Sequence, residues 1–478
     1  MAADIDKIRS ARESEVARAV QTTFNPLLPA GYPPFMIGKR TIPFELETRH
    51  ALMAGTTGSG KTLAIKQVLE TARLREAPVV LIDHGGEMIQ YFYREGIDII
   101  LNPMDERSVG WSVFNELKRI GDFKRASKLL IRDTGGENQD WTEGAQQVVS
   151  DVLRKLWKLG AKFRKNEPLL YFLLNAPLHG AGNAESLEWL LGGTPSARLF
   201  EQGNEKQLAI TMGIIARYME PLTYLREGDF SITEHVKSFE TKGVCRRWLF
   251  FSYTDENHAA ISPLMSMWME FAVQAGLSLS ESPDRRFYLV FDELGSLHAM
   301  KALYDALTKL RKYGGIVIAG LQSTAQIEDP ERYGEKGAQS LLSCFGTILM
   351  LRVSDDQTAE KLSRILGDTR QERTSTSQSE GSSGWSDSTT TKEEIERLVL
   401  ASNFTVLPDR TGYLRIAGMK SVYRMGMVGK GAPDVDSMIP ISTLPKVAPK
   451  EITRQDVSLE WLDYQAAILE PEIETLEA

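Results

Sequence analysis

The sequence predicts an α/β fold, a mostly parallel central sheet that carries a P-loop and is interrupted by an all-α insertion. Three observations predict it. Seven short apolar runs, at 50–54, 79–83, 97–101, 248–252, 287–291, 316–320 and 346–353, are separated mostly by helical patterns, the alternation that buries parallel strands under helices on both faces. The first run leads straight into Gly55-x-x-x-x-Gly60-Lys61-Thr62 and then a helix. Between about 110 and 235 the strand signal stops, and "AQQVVSDVLRKLWKL", "SLEWLLGG" and "AITMGIIARYMEPLTYL" read as amphipathic helices.

Taken in order, residues 1–40 open as a polar helix and continue through the Pro-rich "NPLLPAGYPPF" as an extended arm. Residues 41–109 and 236–449 supply the two halves of the nucleotide-binding domain, and 110–235 the helical insertion. "TSTSQSEGSSGWSDSTTT", residues 374–391, is too polar to bury a core and is expected as a flexible Ser/Thr-rich loop. Residues 450–478 carry eight acids against Lys450 and Arg454 and read as an acidic tail.

At 478 residues, 42% hydrophobic and 25% charged, the chain is globular and long enough for two or three domains, which excludes a disordered or fibrous class. Its two cysteines, Cys245 and Cys344, lie in apolar, strand-like contexts, as expected for reduced core residues rather than a disulfide framework. The N-terminus is too polar for a secretory signal, and no apolar run reaches the roughly 18 residues that span a membrane. A net charge of −8 speaks against a protein coated in nucleic acid but leaves room for one basic face. Residues 117–132 and 151–165 each hold six basic residues against one acid; such runs are DNA-contact candidates or simply solvated helix faces.

The loop 55–62 carries the clearest chemistry. The backbone amides of Gly55, Thr56, Thr57, Gly58, Ser59 and Gly60 are expected to surround phosphate oxygens at a helix N-terminus. Lys61 would reach the β- and γ-phosphates of a nucleotide, and the Thr62 hydroxyl would bind Mg²⁺. Such a loop needs an acid at the end of a neighbouring strand and a group that polarises water. "RRFYLVFDELGSL" offers both: Asp292 for the metal, Glu293 for the water. The plainer reading is a strand that ends in exposed acids. Beyond it, "ALYDALTKLRKYGG" is a helix with Met300, Leu303, Leu307 and Leu310 on its buried face and Lys309, Arg311 and Lys312 on its polar one. The next strand, "IVIAGLQST", ends in Gln322, placed either to report the γ-phosphate or to cap the following helix.

In this order, "LMAGTTGSGKT", "VVLIDHGGEM", "IILNPMDERSVGWSVFNEL", "VFDELGSL", "LTKLRKYGGIVIAGLQSTAQ" and a Ser/Thr-rich loop before "LPDRTGYLRIAG" resemble the type IV secretion coupling proteins, conjugative DNA-translocating ATPases related to the FtsK/HerA motors. The resemblance covers about 36–430. It implies a RecA-like P-loop NTPase using ATP and Mg²⁺, in which Lys61 and Thr62 match the Walker A pair, Asp292 and Glu293 the Walker B pair, Arg311 an arginine that reaches a neighbouring subunit's nucleotide, and Gln322 the polar residue after the following strand. It further implies a hexameric ring at the cytoplasmic side of the inner membrane that passes single-stranded DNA, bound without sequence preference, from a relaxase or relaxosome to the secretion channel. A receptor for secreted proteins and a duplex DNA pump are the alternatives. The family's usual N-terminal membrane region is not visible in the sequence, so the chain itself is expected to be soluble and to form the ring weakly or stay monomeric.

Overall fold

All seven apolar runs form strands. The computed structural model describes residues 32–427 apart from 133–138, 242–246, 382–383 and 420; the first 31 residues of the expected arm, Cys245 and the acidic tail lie outside the described residues. The strands are, in chain order, β1 (Phe35–Ile37), β2 (Arg40–Ile42), β3 (Ala51–Ala54), β4 (Val79–His84), β5 (Ile99–Leu101), β6 (Leu249–Tyr253), β7 (Phe287–Phe291), β8 (Gly315–Leu321), β9 (Thr347–Met350), β10 (Asp368–Gly381), β11 (Gly384–Arg397), β12 (Thr411–Ile416) and β13 (Val422–Gly426). The helices used below are α1 (Lys61–Leu74), α2 (Ile120–Leu130), α3 (Gln139–Leu159), α4 (Glu205–Met219), α5 (His258–Gly276) and α6 (Lys301–Lys309). The residues group into two compact units, 32–75 with 293–296 and 318–427, and 76–292 with 297–317.

In the first unit the strand order is β13-β12-β9-β3-β8. β3 pairs in parallel with both β8 and β9, and β12 runs antiparallel to β9 and β13. β3 and β9 are buried at every position, as parallel strands covered on both faces must be. β12 instead alternates half-buried and buried residues. The hairpin β1–β2 packs Phe35 and Ile37 into the core, so residues 35–40 belong to the domain and not to an extended arm. Arg75, at the end of α1, secures this region through a fully buried bidentate pair with Glu47 (2.8 and 2.9 Å) and a bond to the Pro33 carbonyl at 2.7 Å.

The Ser/Thr-rich stretch departs from expectation. It forms a regular antiparallel ribbon, β10–β11, from Asp368↔Arg397 to Gly381↔Gly384. A two-stranded ribbon satisfies its own backbone without a core, and its threonines favour the pleated conformation. Arg397 closes its base on Asp368 at 2.8 Å. Cys344 is a second departure: it ends the helix Gly334–Ser343, half-buried, and is no strand residue.

In the second unit the order is β7-β4-β6-β5, all pairs parallel. Among the described residues no strand occurs between Leu101 and Leu249, and α2, α3 and α4 fall within this span. The helical segment groups with β4–β7 in one compact unit, so the boundary expected at 109/110 is not where compactness divides the chain. The packing explains why. Trp111, fully buried, meets Trp268 of α5 edge-on at 5.9 Å and lies 6.2 Å from Phe271. Glu116, also fully buried, accepts the Trp111 indole N–H (2.9 Å) and the backbone amides of Ile232 (2.7 Å) and Thr233 (2.9 Å). One carboxylate thus ties the start of the segment to its end.

Removing that carboxylate strands three buried donors at a typical cost of about 1–3 kcal/mol each. Glu116→Ala is expected to lower the thermal unfolding midpoint by about 6 °C or more, because the three donors together lose at least about 3 kcal/mol and each kcal/mol is worth about 2–4 °C in a unit of this size. Differential scanning calorimetry checks it, and an unchanged midpoint contradicts the role given to Glu116.

Candidate active site

The first unit builds its candidate site from the carboxyl ends of its parallel strands. Ala54 sits opposite Leu321 on β8 and Met350 on β9. Past that line the chain turns, with the Gly55 amide donating to the Leu321 carbonyl (2.9 Å) and the Leu351 amide to the Ala54 carbonyl (2.8 Å). A side chain at Gly55 would place Cβ 2.6 Å from Ser59 Oγ and 2.7 Å from Leu351 Cβ, so only glycine fits. Gly60, the residue before α1, has φ +114°, which turns the chain into the helix.

The loop is braced from inside and from one flank. Ser59, with no exposed surface, donates through Oγ to the Thr56 carbonyl at 2.6 Å. The Arg352 carbonyl accepts the Thr56 amide (2.8 Å) and hydroxyl (3.2 Å), and the Ser59 carbonyl accepts the Arg410 amide at 2.8 Å. The first amides of α1 have no carbonyl one turn earlier to bond, which leaves a positive helix end facing the loop.

Two predicted residues meet in the buried interior of this site. Lys61 Nζ lies 2.9 Å from Glu293 Oε2, with side chains 8% and 7% exposed. A charge pair at that depth survives because each partner neutralises the other. Glu293 Oε1 is buried with no hydrogen-bond partner. This orphaned acceptor, beside a lysine at the first position of a helix, fits a site built to handle a phosphate and a water. Gln322 follows β8 and takes part in a long contact with the loop, Thr57 Oγ1 to Gln322 Oε1 at 3.5 Å. Among the described residues the next helix, Ala325–Glu328, is served by Ser323 Oγ, which accepts the Ala325 amide at 3.2 Å, so its start does not depend on Gln322.

Asp292 and Arg311 belong to the second unit. Asp292 follows β7, half-buried, and its amide donates to the Ile82 carbonyl at 3.2 Å. Arg311 is exposed on the 3-10 turn Leu310–Tyr313 that prolongs α6. Gly314 then ends the helix at φ +79°, where a Cβ would strike the Arg285 carbonyl at 2.1 Å.

Arg410 has no counterpart among the residues expected from the sequence. It has φ +59°, bonds the P-loop through its backbone, and packs its Cα 3.3 Å from where a Cβ on Gly60 would stand. The neighbouring Asp409 pairs with Arg352 at 2.7 Å, so the turn before β12 and the end of β9 grip the P-loop together. The only signal in the sequence is the turn-forming "LPDRTG".

Residues 34–427 match the family described as the type IV secretion-system coupling protein DNA-binding domain. The chain belongs to that family. It is 29% identical to the coupling protein TraD of Escherichia coli (strain K12) over 440 residues, which is 91% of this chain and 58% of TraD. Its fold is similar to the plasmid coupling protein TrwB in complex with the non-hydrolysable ATP analogue ADPNP, with a TM-score of 0.76, 28% identity, and coverage of 91% of this chain and 95% of that one. It is similar also to TrwB in complex with ADP and Mg²⁺, with a TM-score of 0.73, 29% identity and coverage of 86% and 92%. The mostly parallel α/β fold expected for the family is therefore the fold observed. Among the described residues no helix is long and apolar enough to cross a membrane.

Removing one partner of the Lys61–Glu293 pair leaves the other buried and uncompensated, which in such pairs costs about 3–5 kcal/mol. Lys61→Met and Glu293→Gln are each expected to lower the unfolding midpoint, and the double variant to lose less than the sum of the two. Strict additivity in this double-mutant cycle would show that the pair is not coupled.

Proposed function

We propose that the chain is the ATP-hydrolysing part of a conjugative coupling protein, which recruits a relaxase–DNA complex and drives single-stranded DNA into a type IV secretion channel. The observation that carries this reading is the buried Lys61–Glu293 pair inside a complete P-loop, in a chain of the coupling-protein family. The chain spans 58% of the length of TraD, so the whole protein's substrates and partners are part of the proposal. Nucleotide use rests on the same site and on TrwB, whose complexes hold ADPNP and ADP with Mg²⁺.

Lys61 and the loop Gly55–Gly60, through its amides at Thr57, Gly58 and Gly60, would hold the β- and γ-phosphates, Thr62 and Asp292 would hold the metal, and Glu293 would accept a proton from the attacking water. Bound Mg²⁺ supplies charge neutralisation on the phosphate oxygens. Phosphate competes with Glu293 for Lys61, so arrival of the nucleotide frees the carboxylate for water. Gln322 touches the loop where a γ-phosphate would be sensed. Arg311 acts on a neighbouring subunit's nucleotide in a hexamer, and residues 110–235 form the helical insertion that faces the incoming substrate.

Lys61→Ala is expected to lose ATP turnover, and Glu293→Gln to keep ATP binding while turnover drops at least a hundredfold, the scale on which a positioned proton acceptor contributes. A malachite-green phosphate assay beside equilibrium binding of labelled ATP separates the two, and near-normal turnover in either rules out the assignment. Arg311→Ala should bind ATP yet hydrolyse it poorly, because an arginine supplied in trans is worth about 10³–10⁵ in rate in GTPases. Mixing it with Lys61→Ala protein should restore activity, since one subunit then lends its intact P-loop and the other its arginine. No recovery in proven mixed oligomers would place Arg311 outside the reaction.

DNA binding is expected to be sequence-independent and steeply salt-dependent, because neutralised phosphates dominate such binding. Lys118, Arg119 and Lys124 are exposed at or before α2. Reversing their charges should weaken binding of a labelled oligonucleotide. The log–log salt slope should fall by about 0.7 for each phosphate of a single strand that is no longer neutralised. An unaltered slope would remove α2 from the DNA path. Stronger ATPase stimulation by duplex than by single strands would favour the duplex pump, and none by either DNA the protein receptor.

A further inference from the structure

Arg410 stands in the turn before β12 at φ +59°, a conformation that residues with a side chain rarely adopt. Its backbone is held from both directions. The amide donates to the Ser59 carbonyl at 2.8 Å, and the carbonyl accepts the Met427 amide at 2.5 Å. Neither bond uses the side chain, and glycine or asparagine would make both with less strain. The backbone role therefore does not account for an arginine at this position. A side chain kept in a sparsely populated conformation at the edge of a site points to a role in that site.

The side chain begins against the loop 55–62. Its Cβ and Cγ lie 3.8 and 3.6 Å from the point where a Cβ on Gly60 would stand. Gly60 immediately precedes Lys61 and α1, so the stem of Arg410 covers the join between loop and helix. The residue is exposed, and among the described residues its guanidinium makes no hydrogen bond or ion pair. Asp409, its neighbour in the chain, is already taken by Arg352 at 2.7 Å. Five N–H donors and a full charge are therefore available to a ligand.

Charge pairing narrows what that ligand needs. Glu293 neutralises Lys61 at 2.9 Å and Asp409 neutralises Arg352, which leaves Arg410 uncompensated beside the loop. In a P-loop the lysine reaches the β- and γ-phosphates, and Mg²⁺ bridges oxygens of the same two. The α-phosphate receives neither cation and is held by backbone N–H groups alone. Gly60, against which the stem packs, belongs to the stretch of backbone that does the holding. An arginine suits this phosphate, because its planar fork bonds two oxygens at once.

We propose that Arg410 is a nucleotide-binding residue, its guanidinium placed on the α-phosphate of the nucleotide held by its own chain. The inference rests on the nucleotide reading of the loop given above. The contact serves nucleoside diphosphates and triphosphates alike and is indifferent to the base. It is distinct from the role proposed for Arg311, which concerns the γ-phosphate of a neighbouring subunit. Arg410 thus does two things from one position: its backbone braces the loop, and its side chain meets what the loop holds.

The test uses the full chain and two substitutions. Arg410→Met keeps a stem on Gly60 and both backbone bonds but removes the guanidinium. Arg410→Gly removes the stem as well and relieves the left-handed strain, so it carries the comparison should the first variant fold poorly. The probes are ADPNP, ADP and inorganic tripolyphosphate, each with Mg²⁺, titrated by calorimetry. Both variants are expected to weaken all three probes by about tenfold to a hundredfold, the range of one hydrogen bond between charged groups. The factor should be the same for the three, because each can place a phosphate in the α position. Saturating ADP should also raise the unfolding midpoint less in the variants than in the wild-type chain. Unchanged affinity in Arg410→Met overturns the proposal, and a loss in Arg410→Gly alone gives the role to the stem's packing. A loss confined to ADPNP and ADP, with tripolyphosphate spared, overturns it too and moves the guanidinium to the ribose or base. Lys61→Ala separates the two readings. If the wild-type chain binds no more tightly than Lys61→Ala, the nucleotide reading of the loop fails; if Lys61→Ala loses binding and Arg410→Met does not, Arg410 alone is excluded.

Discussion

The register of β3 between β8 and β9 is the constraint on which the site depends. With Ala54 level with Leu321 and Met350, three consecutive turns leave the strands at one edge, and Gly55, Gln322 and Leu351 begin them side by side. A slip of one residue in any of these ladders would exchange the two faces of the strand and carry its turn residues away from the others. Burial makes the slip expensive, since β3 and β9 are enclosed at every position and β8 along its whole length. The apolar core therefore does more than stabilise the strands. It sets the relative height of the polar residues that follow them.

Two buried carboxylates show how different the same group can be in two settings. Glu116 accepts an indole and two backbone amides, all neutral donors fixed by the fold, and nothing mobile competes for it. Glu293 has a single charged partner on a flexible stem and one oxygen with no partner at all. The first arrangement is a permanent brace. The second leaves the carboxylate dependent on one partner, which under the proposed function a phosphate would compete for. The two glutamates thus differ in how fully their surroundings satisfy them, Glu116 by fixed donors and Glu293 by Lys61.

Much of the fold was legible because β3 to β9 are short, continuous apolar runs between turn signals, and because α3 and α4 bury one face at helical spacing. What was missed follows from weaker signals. β12 and β13 alternate, with Arg415 and Arg424 on the less buried positions, so neither forms an apolar run. The β10–β11 ribbon has no core to announce it, and composition alone reads as loop. The loop at 55–62 was legible as a turn between strand and helix because its backbone demands glycine at fixed offsets, as at Gly55 and Gly60; the metal and water roles of Asp292 and Glu293 are part of the proposal. Arg410 was not, since it acts through a backbone amide and a left-handed φ, which no residue type encodes. Grouping of the helical segment with β4–β7 was equally hidden, because it depends on Trp111 finding Trp268, far along the chain.

The two basic runs look alike in sequence and differ in the contacts that some of their side chains make. In the second, Arg164 stacks on Trp157 at 4.1 Å, Arg154 lies 5.9 Å from the Phe123 ring, and Lys155 donates to the Gly192 carbonyl at 2.6 Å. Those side chains are already used in packing the helical segment. In the first, Lys118, Arg119, Lys124 and Lys128 are exposed, while Arg125 pairs with Asp122 at 3.1 Å and Arg132 donates to the Pro263 carbonyl at 2.8 Å. Screening in physiological salt limits such charges to a reach of about 8 Å. A net charge of −8 spread over the whole chain consequently says little about what a phosphate meets at α2. Local exposure decides it, and by that measure the two runs are equal: Lys118, Arg119, Lys124 and Lys128 are exposed in one, and Arg154, Lys158, Lys162 and Lys165 in the other.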